Sequence, residues 1–228
     1  MKIPKFLFPI LSLVFFASCI GEDIIQDEVE PTIRIQNPLD TLAINTSYQF
    51  EYRYLNNVGR EETVPVNWTS SNPSIVSIDQ DGLAIALESG TVDIGVSYDS
   101  DSQTISDVST LNVGMETVIT ESENRTGTVN TTSSYALSGD FVLEKNDSDE
   151  LVLTFDNDYE ASTALPGLYI YLTNNPNTTE EALEIGAVTV FSGAHDYNLG
   201  TDIDLFEYSH VLYFCKPFNV KVGDGAIE

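Results

Sequence analysis

Cys215 is one of two cysteines in this 228-residue chain, and the one far from the amino terminus, so it is the first residue whose type could do chemistry. A thiolate is a nucleophile, a redox centre and a soft ligand, whereas a thiol buried among apolar groups behaves as a small hydrophobe. Its flanks point both ways. Val211, Leu212, Tyr213 and Phe214 are apolar or aromatic without alternation, the pattern of a central strand covered on both faces. Pro217 follows and predicts a bulge or strand break just after Cys215, a bend that could expose the sulfur. Lys216 could favour the thiolate by its charge, but adjacent residues of a strand point to opposite faces. Cys215 is therefore the candidate redox thiol, and the candidate ligand if a redox group binds. The alternative is an inert core residue.

Other chemistry-bearing residues are sparse. His210 stands five positions before Cys215, an offset that puts the two on opposite faces of a regular strand. His195 sits in the loop-like Ser192-Gly193-Ala194-His195-Asp196, where Asp196 could orient it. A metal centre normally needs three or four placed ligands, so neither histidine defines one, and no metal is expected. Asp147, Asp149 and Glu150, then Asp156, Asp158 and Glu160, could offer a cation oxygen ligands. Position six after Asp156 is Ala161 where a calcium loop requires glycine, so a solvated acidic surface is the simpler reading. No G-x-S-x-G, HExxH or phosphate-cradling glycine loop occurs, which leans the chain away from enzymes.

The amino terminus reads as an address. Lys2 and Lys5 precede an apolar run from Phe6 to Ala17, too short for a spanning helix and the right length for a signal peptide. It ends in Phe16-Ala17-Ser18-Cys19, which resembles the lipobox of bacterial lipoproteins, with Phe16 in place of the usual leucine. That resemblance implies removal of residues 1–18 and lipidation of Cys19; the alternative is an ordinary signal peptide cut nearby. With Cys19 acylated, Cys215 has no partner in its own chain, leaving a free thiol, an intermolecular link or burial. Loss of Lys2 and Lys5 takes the net charge from −27 to −29, which repels nucleic acid and anionic lipid surfaces. Lipid, and not charge, would then hold the protein at the membrane. Residues 19–30 form an acidic stretch expected to be a disordered tether. Acidic residues just after the cysteine resemble the surface-export signal of some Gram-negative lipoproteins, which implies the outer face of the outer membrane, with the periplasmic face second.

The elements that must position these residues are strands. Short alternating runs rich in Val, Ile, Thr and Tyr, broken by Asn, Asp, Gly, Ser and Pro, predict an all-β chain of two consecutive β-sandwich domains, 31–114 and 120–228. In the first, TIRI, YQFEYRYL, VNWTSS, SIVSI, LAIAL, VDIGVSY and VSTLNV read as strands. Asp81-Gly82 predicts a tight turn, and Trp68, the lone tryptophan, is expected to plug the space between sheets. The run from Val66-Asn67-Trp68-Thr69-Ser70-Ser71-Asn72-Pro73 through Ile78-Asp79, Gly82-Leu83, Ala86 and Gly90-Thr91 to Ile94 resembles the bacterial immunoglobulin-like group 2 domain. Membership would imply a cell-surface spacer or adhesion module.

In the second domain, DFVLE, LVLTF, LYIYL, AVTVF, VLYFC and FNVKV read as strands, and Thr178 with Glu181 predicts one capped helical turn. Gly127-Thr128, Ser138-Gly139, Pro166-Gly167-Leu168-Tyr169-Ile170-Tyr171-Leu172, Gly186, Gly193, Tyr197-Asn198-Leu199, Val211 with Cys215, Phe218-x-Val220 and Gly225-Ala226-Ile227 resemble the DM-thirteen domain. That resemblance implies electron transfer, with the cysteine as a naked thiol or as ligand to a group such as haem. Tyr135 stands where family members commonly carry histidine, and Leu165 with Gly167 replaces a Gly and an Asp around Pro166. Two functions therefore remain open: a surface redox accessory using Cys215, with no cofactor specified beyond that haem suggestion, or a non-catalytic lipoprotein that binds a surface protein or glycan.

Overall fold

The computed structural model describes residues 27–119 and 124–228. The signal peptide, Cys19 and tether residues 19–26 lie outside the described residues, as do linker residues 120–123. Among the described residues no helix is long and apolar enough to cross a membrane.

The chain is all-β. Its first half contributes β1 (Thr32–Ile35), β2 (Thr41–Ala43), β3 (Ser47–Gln49), β4 (Tyr52–Leu55), β5 (Asn67–Ser70), β6 (Val76–Ile78), β7 (Leu83–Ala86), β8 (Gly90–Asp99) and β9 (Thr104–Gly114). These form a four-stranded sheet ordered β2-β9-β8-β5, a three-stranded sheet β3-β7-β6 and the pair β1-β4. Alternation buries one face of each: Ile33 and Ile35, Ala84 and Ala86, Val92, Ile94 and Val96 meet in one core. Trp68 is buried there, tilted against Phe50 at 6.0 Å between ring centroids, and so fills the space between sheets as expected. The Asp81-Gly82 turn forms with Gly82 at φ +85°, and Asp79 Oδ1 accepts from the amides of Asp81 and Leu83. A side chain at Gly82 would meet both the Phe50 carbonyl and the Trp68 ring, so the turn and the plug require each other.

The second half contributes β10 (Asn124–Thr131), β11 (Leu137–Lys145), β12 (Leu151–Phe155), β13 (Glu160–Ala161), β14 (Leu168–Thr173), β15 (Leu183–Ala187), β16 (His195–Gly200), β17 (His210–Cys215) and β18 (Val220–Ala226). Hydrogen bonds run continuously through β15-β14-β17-β18-β10-β11-β12-β16, with β13 paired to β11. Phe155 of β12 and Tyr213 of β17 are four strand steps apart on that path, about 19 Å in a flat sheet at ~4.8 Å per strand. Their rings lie 6.2 Å apart. The sheet therefore curls over and encloses a core of its own, separate from that of the first half.

Several local expectations are corrected. Residues 177–182 form no helical turn: Glu181 takes φ +59°, and the Thr178 hydroxyl accepts from Glu180 N in a tight turn. AVTVF is not a strand, because pairing to β14 uses Leu183–Ala187 and ends there. Asn124–Thr131 is a strand that polar composition concealed, since Arg125 supplies one of its inward positions. Buried Arg125 donates through Nη1 to the carbonyls of Leu205 (3.3 Å) and Tyr208 (2.7 Å) and through Nη2 to Ile227, and lies over the Phe206 ring. It ties the carboxyl-terminal residues to β10.

The halves meet through polar contacts. Arg53 Nη1 donates to the carbonyls of Phe206 (3.1 Å) and Glu207 (2.7 Å), while its Nε holds Glu61 at 2.8 Å. Arg60 pairs with Glu180 and Glu181 at 3.0 and 2.9 Å. Buried Asn175 donates to the carbonyls of Val58 and Asp27, and Asn177 to that of Glu28. Asp27 and Glu28, expected to belong to the end of a disordered tether, are thus bonded to the second half, while Val29 N donates to the Asn57 carbonyl of the first at 2.8 Å. Replacing Arg125 by Ala would take this donor from the buried carbonyls of Leu205 and Ile227, at roughly 1–3 kcal/mol each, and from the part-buried one of Tyr208. A urea midpoint lowered by an equivalent of about 3 kcal/mol or more is the expected outcome for Arg125→Ala, and an unchanged midpoint would contradict it.

Candidate functional site

β17 lies between β14 and β18, with Cys215 opposite Leu168 and Val220. Val211 through Cys215 are all buried, as the unbroken apolar run predicts. Val211, Tyr213 and Cys215 face the enclosed core, and Leu212 and Phe214 join Tyr169, Tyr171 and Ala182 on the outer face. The strand ends at Cys215, and Lys216–Phe218 forms a 3-10 turn begun by Pro217. That break does not expose the sulfur-bearing residue: Cys215 is 1% exposed. Gly167 (φ +151°) accepts from Lys216 N at 3.1 Å, and a Cβ there would run into the Pro217 ring at 2.8 Å, so the turn is seated tightly. Lys216 points the other way, 2.7 Å from Glu184 Oε2 and 4.7 Å over the Tyr169 ring. Its charge is spent on Glu184, whose carboxyl it holds below the usual range.

The histidines do not gather round the thiol. His210 lies on the opposite face of β17, bonded through Nδ1 to Ser209 Oγ at 2.9 Å, and burial lowers its pKa. Tyr135 is on the surface. His195 opens strand β16, correcting its expected place in a loop, and enters the core that holds Cys215. Packing around Cys215 does not fit a haem: the residue is enclosed by apolar neighbours, and neither described concavity is lined by it. The acidic clusters serve local structure. Asp149 pairs with Lys145, Glu150 accepts from Asn146 and Asn198, and Asp158 accepts from Asp140 N. Among the described residues no group of three or more His, Cys, Asp or Glu is placed to hold a metal ion.

A polar cluster that sequence reasoning missed lies in the same core. His195 stacks on Phe155 at 5.1 Å and meets Tyr159 at 4.5 Å and Tyr197 at 5.3 Å, and Tyr213 lies 6.2 Å from Tyr159. The hydroxyls of Tyr159, Tyr197 and Tyr213 and Nε2 of His195 are buried; the Tyr213 hydroxyl is turned toward the Tyr159 oxygen, and no well-formed hydrogen bond satisfies any of the four atoms. Leaving one such group unpaired costs about 1–3 kcal/mol, so four of them rival the ~5–15 kcal/mol by which a whole protein is stable. His195 Nδ1 lies 2.9 Å from the Gly193 carbonyl, which can only accept. That partner assigns a proton to Nδ1, so that in the tautomer with one ring proton Nε2 is a bare acceptor. Burial pushes Tyr159 up to about 12, partly opposed by Tyr213, and raises Tyr213 and Tyr197 as well. The only warning in the sequence was a density of aromatic residues with polar tips at inward positions.

Beside this cluster a groove of about 730 Å³ opens between residues 157–163 and 191–193, lined by Asp158, Glu160, Ser162, Phe191 and the surface of Tyr159. A smaller cavity of about 180 Å³ lies at the joint of the halves, between Arg53, Arg60 and Glu180. No family model matches the chain, and no curated protein matches it.

The tyrosines set a pH dependence. The unfolded chain releases the Tyr159 proton near pH 10, but the folded chain keeps it to about 12, so this contribution is complete below pH 10 and is lost as pH rises from about 10 to 12. Tyr159→Phe should show a shallower fall of the urea midpoint between about pH 10 and 12 than the unaltered chain. Equal slopes would contradict the assignment.

Proposed function

We propose that this is an exported, lipid-anchored β protein of the bacterial outer membrane that works by non-catalytic binding or adhesion at the cell surface, with Cys215 packed as a core residue. The observation that carries this reading is the burial of Cys215, 1% exposed among apolar neighbours, with Lys216 turned away to Glu184. A redox thiol has to meet its partner and be stabilised as the thiolate, and neither condition is met at this position. On this reading the first half is a bacterial immunoglobulin-like group 2 domain. Its support is the Val66–Ile94 motif run, with Trp68 filling the intersheet space beside the Gly82 turn. The second half is a DM-thirteen-like domain in which the cysteine position has a packing role. The groove beside Phe191 and Asp158 is the surface we assign to a ligand, because it offers an apolar wall and several polar groups in one concavity.

Two measurements on the chain from residue 20 onward test the reading. A thiol reagent should leave the folded protein unlabelled and modify Cys215 only after urea unfolding. The visible spectrum of protein made with haem available should match that of Cys215→Ala. Rapid labelling of the folded chain, or an absorption band lost in Cys215→Ala, would reinstate electron transfer through Cys215.

A further inference from the structure

We propose that Tyr159, His195, Tyr197 and Tyr213 form an internal hydration site, in which one or more water molecules bridge the three phenol hydroxyls and His195 Nε2. This lies beyond the binding role argued above and does not depend on it. The argument begins with donors and acceptors. Three hydroxyls can each give one hydrogen bond, and Nε2 can only accept, because Nδ1 carries its proton to the Gly193 carbonyl. With the Tyr213 hydroxyl turned toward the Tyr159 oxygen, a water accepts from Tyr159 and Tyr197 and donates to Nε2 and to the Tyr213 oxygen, which completes this set without charge.

Spacing points the same way. The rings of the four residues are packed at 4.5 to 6.2 Å between centroids, the Tyr213 hydroxyl is turned toward the Tyr159 oxygen, and no well-formed hydrogen bond satisfies any of the four polar atoms. Polar atoms gathered in one core and short of partners are the setting in which a buried water bridges. A metal ion asks for something else. It draws its ligands to about 2.0–2.2 Å and takes the phenols as phenolates, whereas burial holds these tyrosines protonated. A route to solvent is also present. Tyr159 and Gly193 line the groove, and the Gly193 carbonyl is the group that orients His195, so groove and cluster share a wall.

The test uses the full chain. Oxygen-17 magnetic relaxation dispersion counts long-lived internal waters, and Tyr213→Phe should carry at least one fewer than the unaltered protein. Should that variant fail to fold, Tyr197→Phe, at the half-buried edge of the cluster, should give the same reduction. A crystal structure of the unaltered chain should show density within about 2.6–3.2 Å of at least two of the four atoms. An unchanged count, all four polar atoms satisfied by one another with no density among them, or a stoichiometric metal by elemental analysis would each overturn the proposal.

Discussion

Burial of one strand on both faces is the constraint from which the second half is built. Val211, Tyr213 and Cys215 need an apolar layer on one side and Leu212 and Phe214 need another, each large side chain being worth roughly 1.5–3 kcal/mol when fully removed from water. The inner layer exists because the sheet curls until β12 faces β17. The outer layer is supplied by Tyr169 and Tyr171 of β14 and by Ala182 from the loop after it. That loop also carries Asn175, Glu180 and Glu181, which hold the first half. Covering the central strand and joining the two halves are therefore tasks of the same segment.

The curled sheet has a consequence for polar groups. Closing around a single core forces residues from many strands inward, including some whose tips need hydrogen bonds. Arg125 meets most of its demand with carbonyls of the 205–208 loop and of Ile227, its Nε alone lacking a partner, and so becomes a clamp on the carboxyl-terminal residues. The tyrosine and histidine tips around Phe155 meet the same problem without carbonyls close enough to serve. Polar demand in this core is thus local and uneven, and it concentrates beside the groove.

Much of the architecture was legible because strand alternation is short-range: β1, β5, β7, β8, β11, β12 and β17 each announce themselves by their own residues. The failures share a cause. β10 and β16 carry polar or histidine residues at inward positions, and only distant partners such as the Ile227 carbonyl or the Phe155 ring make those positions favourable. The helical turn expected at Thr178 does not form, and Glu180 and Glu181 pair instead with Arg60 of the other half, a partner no local pattern announces. At the candidate site, strand parity correctly separated Lys216 and His210 from Cys215. Whether the Pro217 turn would bare the sulfur depended on the seat that Gly167 provides, and no local pattern encodes that fit. The tyrosine cluster was hidden for the same reason, its members coming from three separate stretches of chain.

The pinning of Asp27 and Glu28 changes how the molecule would carry a load. A chain held by its amino-terminal end and pulled through its second half is not two beads in series. Tension arriving at residue 27 passes straight into Asn175 and Asn177 through the carbonyls they hold. Val29, one residue further on, donates to the Asn57 carbonyl of the first half, so both halves share the load before it reaches β1.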